Sequence, residues 1–244
     1  MQAIFKREFR AYFKSPIGYI FLGAFIFYAS LMFVMINLNA QSTALTGFFS
    51  NISLIFVFII PIITMRLFSE ERKSKTDQLL LTAPVKVSGI VLGKFFAAAA
   101  VLLISVVATM FFILIMKMYG SPAVGEAVVG YFGLFLIGLL FISIGMFMSS
   151  LTESQVVSAV STLAILFFLW FLANLNMNFS SILQGGWAWL GKVLDWLLDF
   201  LSINKRYYDF SIGTLNFVPI FYFVSLTALF NLLTIRMVEK RRWR

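Results

Sequence analysis

The chain has 244 residues, of which 61% are hydrophobic and 12% are charged, and its formal net charge is +9. A soluble domain of this length does not combine so much apolar residue with so little charge, so the composition excludes an ordinary water-soluble protein. The sequence contains no cysteine and no histidine, which excludes disulfides, thiolate or imidazole metal sites and histidine-dependent catalysis.

The first segment, residues 1–15, has an amphipathic pattern. Its apolar face holds Ile4, Phe5, Phe9, Tyr12 and Phe13, and its basic face holds Lys6, Arg7, Arg10 and Lys14. This spacing predicts a helix in the membrane interface with its basic side toward anionic headgroups. A plain basic topology signal has the same composition, and neither interpretation makes the segment a site.

Six apolar stretches are long enough to cross a bilayer, which requires about 20 residues per helix. The predicted spans cover approximately residues 16–37, 48–65, 95–116, 127–149, 156–175 and 217–235. They predict an all-α membrane protein with a single domain over residues 1–244 and no room for a soluble catalytic domain. Lys94, at the start of the third span, is expected to snorkel back to the headgroups.

The passage from Arg66 to Lys94 is the longest charged part of the chain, with six of the nineteen basic residues and three of the ten acids. Glu71 and Lys75, like Lys73 and Asp77, have the i,i+4 spacing of helical ion pairs. They predict a charged helix that continues or abuts the second span and ends at Ala83-Pro84. Such a helix suits docking to a separate protein, although a solvated loop with ordinary charges fits the pattern equally well.

The segment between the last two spans, residues 176–216, is too long for a simple loop. Its apolar residues recur at helical spacing, namely Trp187, Leu190, Leu194, Leu197 and Leu201. They predict an amphipathic helix or helical hairpin half-sunk at the far membrane face, anchored by Trp187, Trp189 and Trp196.

The distribution of basic residues predicts the orientation of the chain. The N-terminus, the charged passage and the C-terminus together carry 15 of the 19 Lys and Arg residues. The positive-inside rule therefore places these three segments in the cytoplasm, which agrees with an even number of spans.

None of the predicted spans contains an Asp, Glu, Lys, Arg or His in its body, which disfavours proton- or ion-coupled transport and intramembrane catalysis. Sodium sites built from carbonyl and hydroxyl oxygens stay open. The run Gly89-x-x-x-Gly93-Lys94-Phe95 lacks the glycine spacing and the following Ser or Thr of a phosphate loop. We therefore expect that the chain binds no nucleotide and that any active transport draws its energy from another chain.

The run from Glu70 to Val85, the later Gly93-Lys94-Phe95 and the short turn at residues 149–155 resemble the signature of type-2 ABC exporter permeases. The six-span layout is also similar, and the resemblance covers essentially the whole chain. It is greatest to the branch that includes gliding-motility and nitrous-oxide-reductase accessory permeases. Lys75 departs from this pattern, because relatives often have glycine before the Thr.

The resemblance implies six transmembrane helices with an interfacial N-terminal helix over residues 1–15. It also implies a cytoplasmic coupling helix in residues 66–86 and re-entrant or interfacial outer helices in residues 176–216. In that family the helix after the second span contacts the ATPase, so the interface role carries over to Glu70, Glu71, Arg72, Thr76 and Asp77. The turn at Glu153 is a second candidate contact.

The implied partners are a cytoplasmic ABC ATPase dimer, which binds ATP and Mg²⁺, and a second permease chain, identical or homologous. The bilayer is the third implied partner, and the resemblance is compatible with a further accessory membrane subunit. It implies no binding of nucleic acid. The implied location is the bacterial cytoplasmic membrane. The chain itself is expected to have no cofactor and no enzyme activity.

A second hypothesis is a non-transporting membrane scaffold or assembly subunit that recruits a cytoplasmic partner through the same segment. A membrane enzyme is a third, which the missing catalytic groups disfavour. The sequence does not indicate the substrate, although aromatic, uncharged spans suit a lipid-like or amphipathic cargo.

Overall fold

The computed structural model of the protein describes residues 1–76, 86–174, 179 and 188–242. All the regular secondary structure in these ranges is helical, as the sequence predicted. The helices are α1 (Gln2–Lys14), α2 (Pro16–Phe33, continued by a π-helical turn at Val34–Leu38), α3 (Thr46–Thr64), α4 (Ser69–Lys73), α5 (Val87–Thr109), α6 (Phe111–Tyr119), α7 (Val124–Leu151), α8 (Gln155–Asn174), α9 (Ala188–Leu201), α10 (Ile203–Ser211) and α11 (Phe217–Arg242).

Six helical stretches are long and apolar enough to cross a membrane, which confirms the predicted number of spans. They are Pro16–Leu38, Thr46–Lys73, Val87–Met118, Val124–Leu151, Gln155–Leu172 and Phe217–Arg241. Helix α7 is the centre of the bundle, because 72% of its span is buried against 17% for the span of α8. It packs against α3, α5, α8, α10 and α11.

The bundle has two ends with different composition. At one end, which we name the basic face, α1, α4, the start of α5, the α7–α8 turn and the end of α11 meet. Ion pairs join Arg7 to Glu71 and Arg72 to Glu153 across these elements. Arg241 near the end of α11 donates to the carbonyl of Ser150 at the end of α7. The N-terminal helix, the described parts of the charged passage and the C-terminal end of α11 therefore share one face, the arrangement that the charge count predicted.

The opposite end, which we name the distal face, contains the start of α3, the start of α7, and helices α9 and α10. The hydroxyl of Tyr207 in α10 donates a hydrogen bond of 3.2 Å to the carbonyl of Phe49 in α3. Helix α9 lies where the amphipathic pattern predicted a helix, and Trp189 and Trp196 are exposed on it. Trp187 lies outside the described residues.

The charged helix after the second span is shorter than predicted. Helix α4 ends at Lys73, and Lys75 has a φ of +58°, a left-handed conformation that interrupts the helix. The prediction of one helix running on to Ala83-Pro84 is therefore wrong at this point. The predicted pair of Glu71 with Lys75 is also wrong, since Glu71 pairs with Arg7 and Lys94 instead. Asp77, and with it the predicted Lys73–Asp77 pair, lies outside the described residues.

Candidate functional site

The position of α1 on the basic face is set by a tight corner between α1 and α2. Helix α1 stops at Lys14, and Pro16 begins α2 at a position where its missing N–H costs nothing. A side chain at Gly18 would bring its Cβ within 2.6 Å of the carbonyl oxygen of Tyr12, so only glycine allows this corner. The hydroxyl of Tyr12 is buried and donates 2.9 Å to the carbonyl of Ile63 at the end of α3.

Lys94 is the centre of a buried ion cluster beneath α1. Only 1% of its side chain is exposed, and its Nζ lies 2.9 Å from Glu71 Oε1 and 3.3 Å from Glu8 Oε1. The same ammonium group donates 2.7 Å to the carbonyl of Leu67 and lies 5.2 Å from the centre of the Phe68 ring. A buried charge is tolerated when it is paired and hydrogen-bonded, and both conditions are met here.

Arg7 closes the cluster on its outer side. Its guanidinium lies 2.8 Å from Glu71 Oε1 and also pairs with the neighbouring Glu8. The four side chains of Arg7, Glu8, Glu71 and Lys94 thus balance two positive against two negative charges. They come from α1, α4 and α5, and the cluster joins these three helices.

The electrostatic environment keeps Glu8 ionised. Burial by itself raises the pKa of a carboxyl, but Lys94 and Arg7 act in the opposite direction and prevail, so the pKa of Glu8 lies below its ordinary 4.5. The pKa of Arg7 is raised, because Glu8 and Glu71 outweigh the effect of its burial.

Ser149, at the end of α7, holds the beginning of α4. Its hydroxyl oxygen accepts hydrogen bonds from the backbone N–H groups of Phe68 (3.1 Å) and Ser69 (3.2 Å) and donates 3.0 Å to the carbonyl of Met65. Ser149 is fully buried. One side chain therefore satisfies amide groups that the first turn of a helix leaves unpaired, and it ties α4 to the central helix.

Arg72 connects α4 to the α7–α8 turn. Its guanidinium lies 3.0 Å from the carboxylate of Glu153 and donates 3.0 Å to the carbonyl of Leu151. On the other side, Arg66 pairs with Glu70 at 2.8 Å and donates to the hydroxyl of Ser15 at 3.1 Å.

The end of α4 that follows these contacts is exposed. Lys73, Ser74, Lys75 and Thr76 are all exposed, whereas Glu71 and Arg72 are partly buried by their ion pairs. A cavity of about 280 Å³ lies between α1 and α4, lined in part by Arg7, Arg66 and Thr76. The C-terminal end of α4 is therefore exposed, whereas its N-terminal part is bound to the bundle. An exposed helix end of this kind suits contact with another protein.

A comparison with protein families finds that the model of the ABC-2 family transporter proteins matches residues 2–240. The chain belongs to the ABC-2 transporter family. A comparison with curated proteins finds no match. Family membership and the six apolar helices make the chain a multi-pass membrane protein and the membrane subunit of an ABC transporter.

The residues that the sequence assigned to the ATPase interface of an ABC-2 protein are close together on the basic face where they are described. Glu70, Glu71, Arg72 and Thr76 lie in or just after α4, and Glu153 lies in the turn that Arg72 contacts. They differ in exposure, because 67% of the Glu153 side chain is exposed against 17% for Glu71. Asp77 lies outside the described residues.

Sequence reasoning missed four residues of this site. Arg7 and Glu8 were assigned to a membrane-facing segment without a site, and Ser149 was not singled out. The expectation that Lys94 snorkels to the headgroups is wrong, since Glu8 and Glu71 pair with it inside the protein. The available signal was Glu8, the only acidic residue among the first 69 and one surrounded by basic residues.

The run from Gly89 to Lys94, whose spacing does not fit a phosphate loop, lies within helix α5. A phosphate loop requires a loop of free backbone N–H groups, and a helix interior offers none. Gly93 serves packing instead, since a Cβ there would lie 3.0 Å from Ile4 of α1.

Proposed function

We propose that this ABC-2 protein is the permease subunit of an ATP-driven exporter and that a separate cytoplasmic ATPase drives it through α4. The observation that carries the proposal is the connection of α4 to three parts of the bundle. Glu71 binds α1 and α5 through Arg7 and Lys94, and Arg72 binds the α7–α8 turn through Glu153.

The length of α4 explains why these connections matter. A helix of five residues is not stable by itself, so α4 depends on its contacts with the bundle. Because Ser149 and the ion pairs hold it at several points, a displacement of α4 also displaces α1, α5 and the end of α7. A partner that pushes on α4 would thus act on several membrane helices together.

The surface that an ATPase would contact is the exposed end of α4. Lys73 and Lys75 give this end positive charge, and Thr76 follows them. Glu70 and Glu153 are the more exposed acids beside it. We propose that Asp77 belongs to the same contact and that the ATPase presents an acidic groove to it. Glu71 and Arg72 would transmit the movement of α4 to the rest of the bundle.

The proposed orientation places the basic face in the cytoplasm of a bacterial cell, in accordance with the positive-inside rule. The permease is proposed to act as a dimer with an identical or homologous chain. Helices α2 and α8 have the least buried spans, at 22% and 17%, and offer apolar surface to lipid and to the second permease.

The test is co-expression of the full-length chain with the ATPase encoded next to it, followed by purification and reconstitution in lipid vesicles. We expect the chain to co-purify with the ATPase and to stimulate its hydrolysis. Lys75→Glu should reduce both by reversing the charge of the α4 tip. The control is Lys240→Glu, the same charge change at an exposed position near the end of α11.

Three results would contradict the proposal. They are nucleotide hydrolysis by the chain alone, unchanged stimulation in the Lys75→Glu variant, and a complex whose cellular role survives loss of the phosphate-loop lysine of the ATPase. The last result would favour the scaffold, because a recruiting subunit needs its partner bound but not hydrolysing.

A further inference from the structure

A cavity of about 420 Å³ lies at the distal face, between α9, α10 and the start of α11. Its charged lining residues are Asp199, Lys205, Arg206 and Asp209. Val218 also lines it and belongs to the span that begins at Phe217. The cavity therefore lies where the apolar part of α11 begins, the depth at which lipid headgroups are found.

Arg206 presents an incompletely bonded guanidinium at this cavity. The group lies 4.4 Å from the centre of the Tyr222 ring, a cation–π contact. Within the described part of the chain it forms no ion pair, and its Nε is buried without a hydrogen-bond acceptor. A guanidinium has five N–H donors in a planar fork that matches the oxygens of a phosphate.

The two acids of the cavity have different partners. Asp199 is neutralised by Lys205, whose Nζ lies 2.6 Å from its Oδ1. The carboxylate of Asp209 has no ion-pair partner among the described residues and accepts a hydrogen bond of 2.9 Å from Asn216 Nδ2. The cavity thus contains one cation and one carboxylate, Arg206 and Asp209, that no opposite charge within the described chain neutralises.

Apolar surface continues from the cavity along α11 toward the middle of the bundle. Phe217 is 87% exposed and Phe221 is 76% exposed, and their i,i+4 spacing places them on one face of the helix. A ligand that is polar at one end and apolar along its length would cover both surfaces. A free phosphate ion or a soluble zwitterion would leave these side chains uncovered.

We propose that this cavity binds the headgroup of a phospholipid that carries a phosphate and a primary ammonium group. The phosphate pairs with Arg206, the ammonium pairs with Asp209, and the acyl chains lie along Phe217 and Phe221. The inference needs only that α11 spans the membrane, and it does not depend on the proposed coupling to an ATPase.

The test measures the thermal unfolding of the purified full-length chain in detergent while one lipid at a time is added. The lipids are phosphatidylethanolamine, phosphatidylcholine and phosphatidylglycerol, and free phosphoethanolamine is the soluble comparison. Phosphatidylethanolamine should raise the midpoint most, because phosphatidylcholine has no N–H to donate to Asp209 and phosphatidylglycerol has no cation.

Two variants test the assigned contacts. Arg206→Gln should weaken binding of phosphatidylethanolamine about 10- to 100-fold, which is the effect of losing a charge-assisted hydrogen bond. Asp209→Asn should abolish the preference for phosphatidylethanolamine over phosphatidylcholine and leave binding of both. The control is Lys192→Gln, which removes an exposed positive charge from the neighbouring α9. It should change neither the affinity for phosphatidylethanolamine nor the preference for this lipid over phosphatidylcholine.

The proposal is overturned if the three lipids act equally, if phosphatidylglycerol acts most strongly, or if free phosphoethanolamine acts as strongly as the lipid. The proposal is also overturned if the Asp209→Asn variant still prefers phosphatidylethanolamine over phosphatidylcholine as the wild type does. Should Arg206→Gln fail to fold in the absence of lipid, the lipid series on the wild type and on Asp209→Asn still decides the matter.

Discussion

Lys94 and Glu71 form an ion pair inside the basic face, with 2.9 Å between Lys94 Nζ and Glu71 Oε1. Lys94 belongs to α5 and Glu71 to α4, so the pair joins the two ends of the charged passage. Because Glu71 also binds Arg7 of α1, this one carboxylate holds three helices together. The attachment of α4 to the bundle depends more on this pair than on any exposed charge of the passage.

Replacement of Lys94 by methionine should destabilise the protein strongly. The variant keeps most of the length of the side chain but leaves Glu8 and Glu71 without the buried cation. Removal of one partner of a buried pair costs about 3–5 kcal/mol, and the low end applies here because Arg7 still contacts both acids. Thermal unfolding of the purified chain measures the loss, and stimulation of ATPase activity should fall with it.

The control for this prediction is Lys86→Met, the same substitution at an exposed position just before α5. It should change stability by less than about 0.5 kcal/mol. The double variant Lys94→Met/Glu71→Gln should lose less than the sum of the two single variants, since each has already removed the pair. Additive losses would show that Lys94 and Glu71 do not interact.

The sequence predicted the all-helical fold and the number of spans, because uninterrupted apolar length is a local property. It also brought Glu70, Arg72 and Glu153 into one candidate site through resemblance. It did not predict that Glu71 turns inward, since the i,i+4 rule considers only neighbours on the same helix. Arg7 and Glu71 are distant in sequence, and tertiary contacts such as the corner at Gly18 bring them together.

Lys94 is a second residue whose ion-pair partners the local sequence pattern did not predict. A lysine at the start of a span snorkels when water is the nearest solvent for its charge, and this made the expectation reasonable. The actual alternative is a pair of acids from α1 and α4, which the sequence of α5 does not reveal. The single acid of the first segment, Glu8, was the clue to that partner.

Acidification should remove the contribution of Glu8 to stability. The pKa of Glu8 is lowered in the folded protein, so its stabilising effect is complete above its ordinary pKa of 4.5 and is lost as the pH falls through the lower folded value. The difference in unfolding midpoint between the wild type and Glu8→Gln should therefore be constant above pH 5 or so and shrink below about pH 4.5. A difference that grows on acidification would contradict this assignment.

Substitution of Gly18 by alanine should displace α1 from the basic face. The new Cβ would lie 2.6 Å from the carbonyl oxygen of Tyr12, and a backbone atom has no rotamer by which to move away. We expect a lower unfolding midpoint and weaker ATPase stimulation. Gly23→Ala is the control, because the added Cβ would meet no atom within 4 Å apart from the adjacent backbone of its own helix, and alanine should stabilise α2 there by about 0.5–1 kcal/mol. Equal effects at the two positions would exclude the corner as the cause.

The left-handed backbone at Lys75 predicts an unusual order of substitutions. Glycine adopts a φ of +58° without strain, whereas a β-branched residue does so at a cost of about 1–2 kcal/mol. Lys75→Gly should therefore be at least as stable as Lys75→Val and should leave the local structure intact. At Lys73, the last residue of α4, the order should reverse, because the backbone there is helical and glycine is the poorer helix former. The four unfolding midpoints provide the comparison, and the same order at both positions would refute a helix break at Lys75.

The proposed orientation can be tested on the chain without removing any native thiol, because the sequence contains no cysteine. Single substitutions Thr76→Cys on the basic face and Lys192→Cys on the distal face introduce one reactive group each at exposed positions. A membrane-impermeant maleimide applied to intact spheroplasts should label the Lys192→Cys protein and should label the Thr76→Cys protein only after the membrane is permeabilised. The positive-inside rule gives this direction, since most basic residues lie on the face of Thr76. Labelling of Thr76→Cys in intact spheroplasts would place α4 outside the cell, where no cytoplasmic ATPase reaches it, and would overturn the proposed coupling.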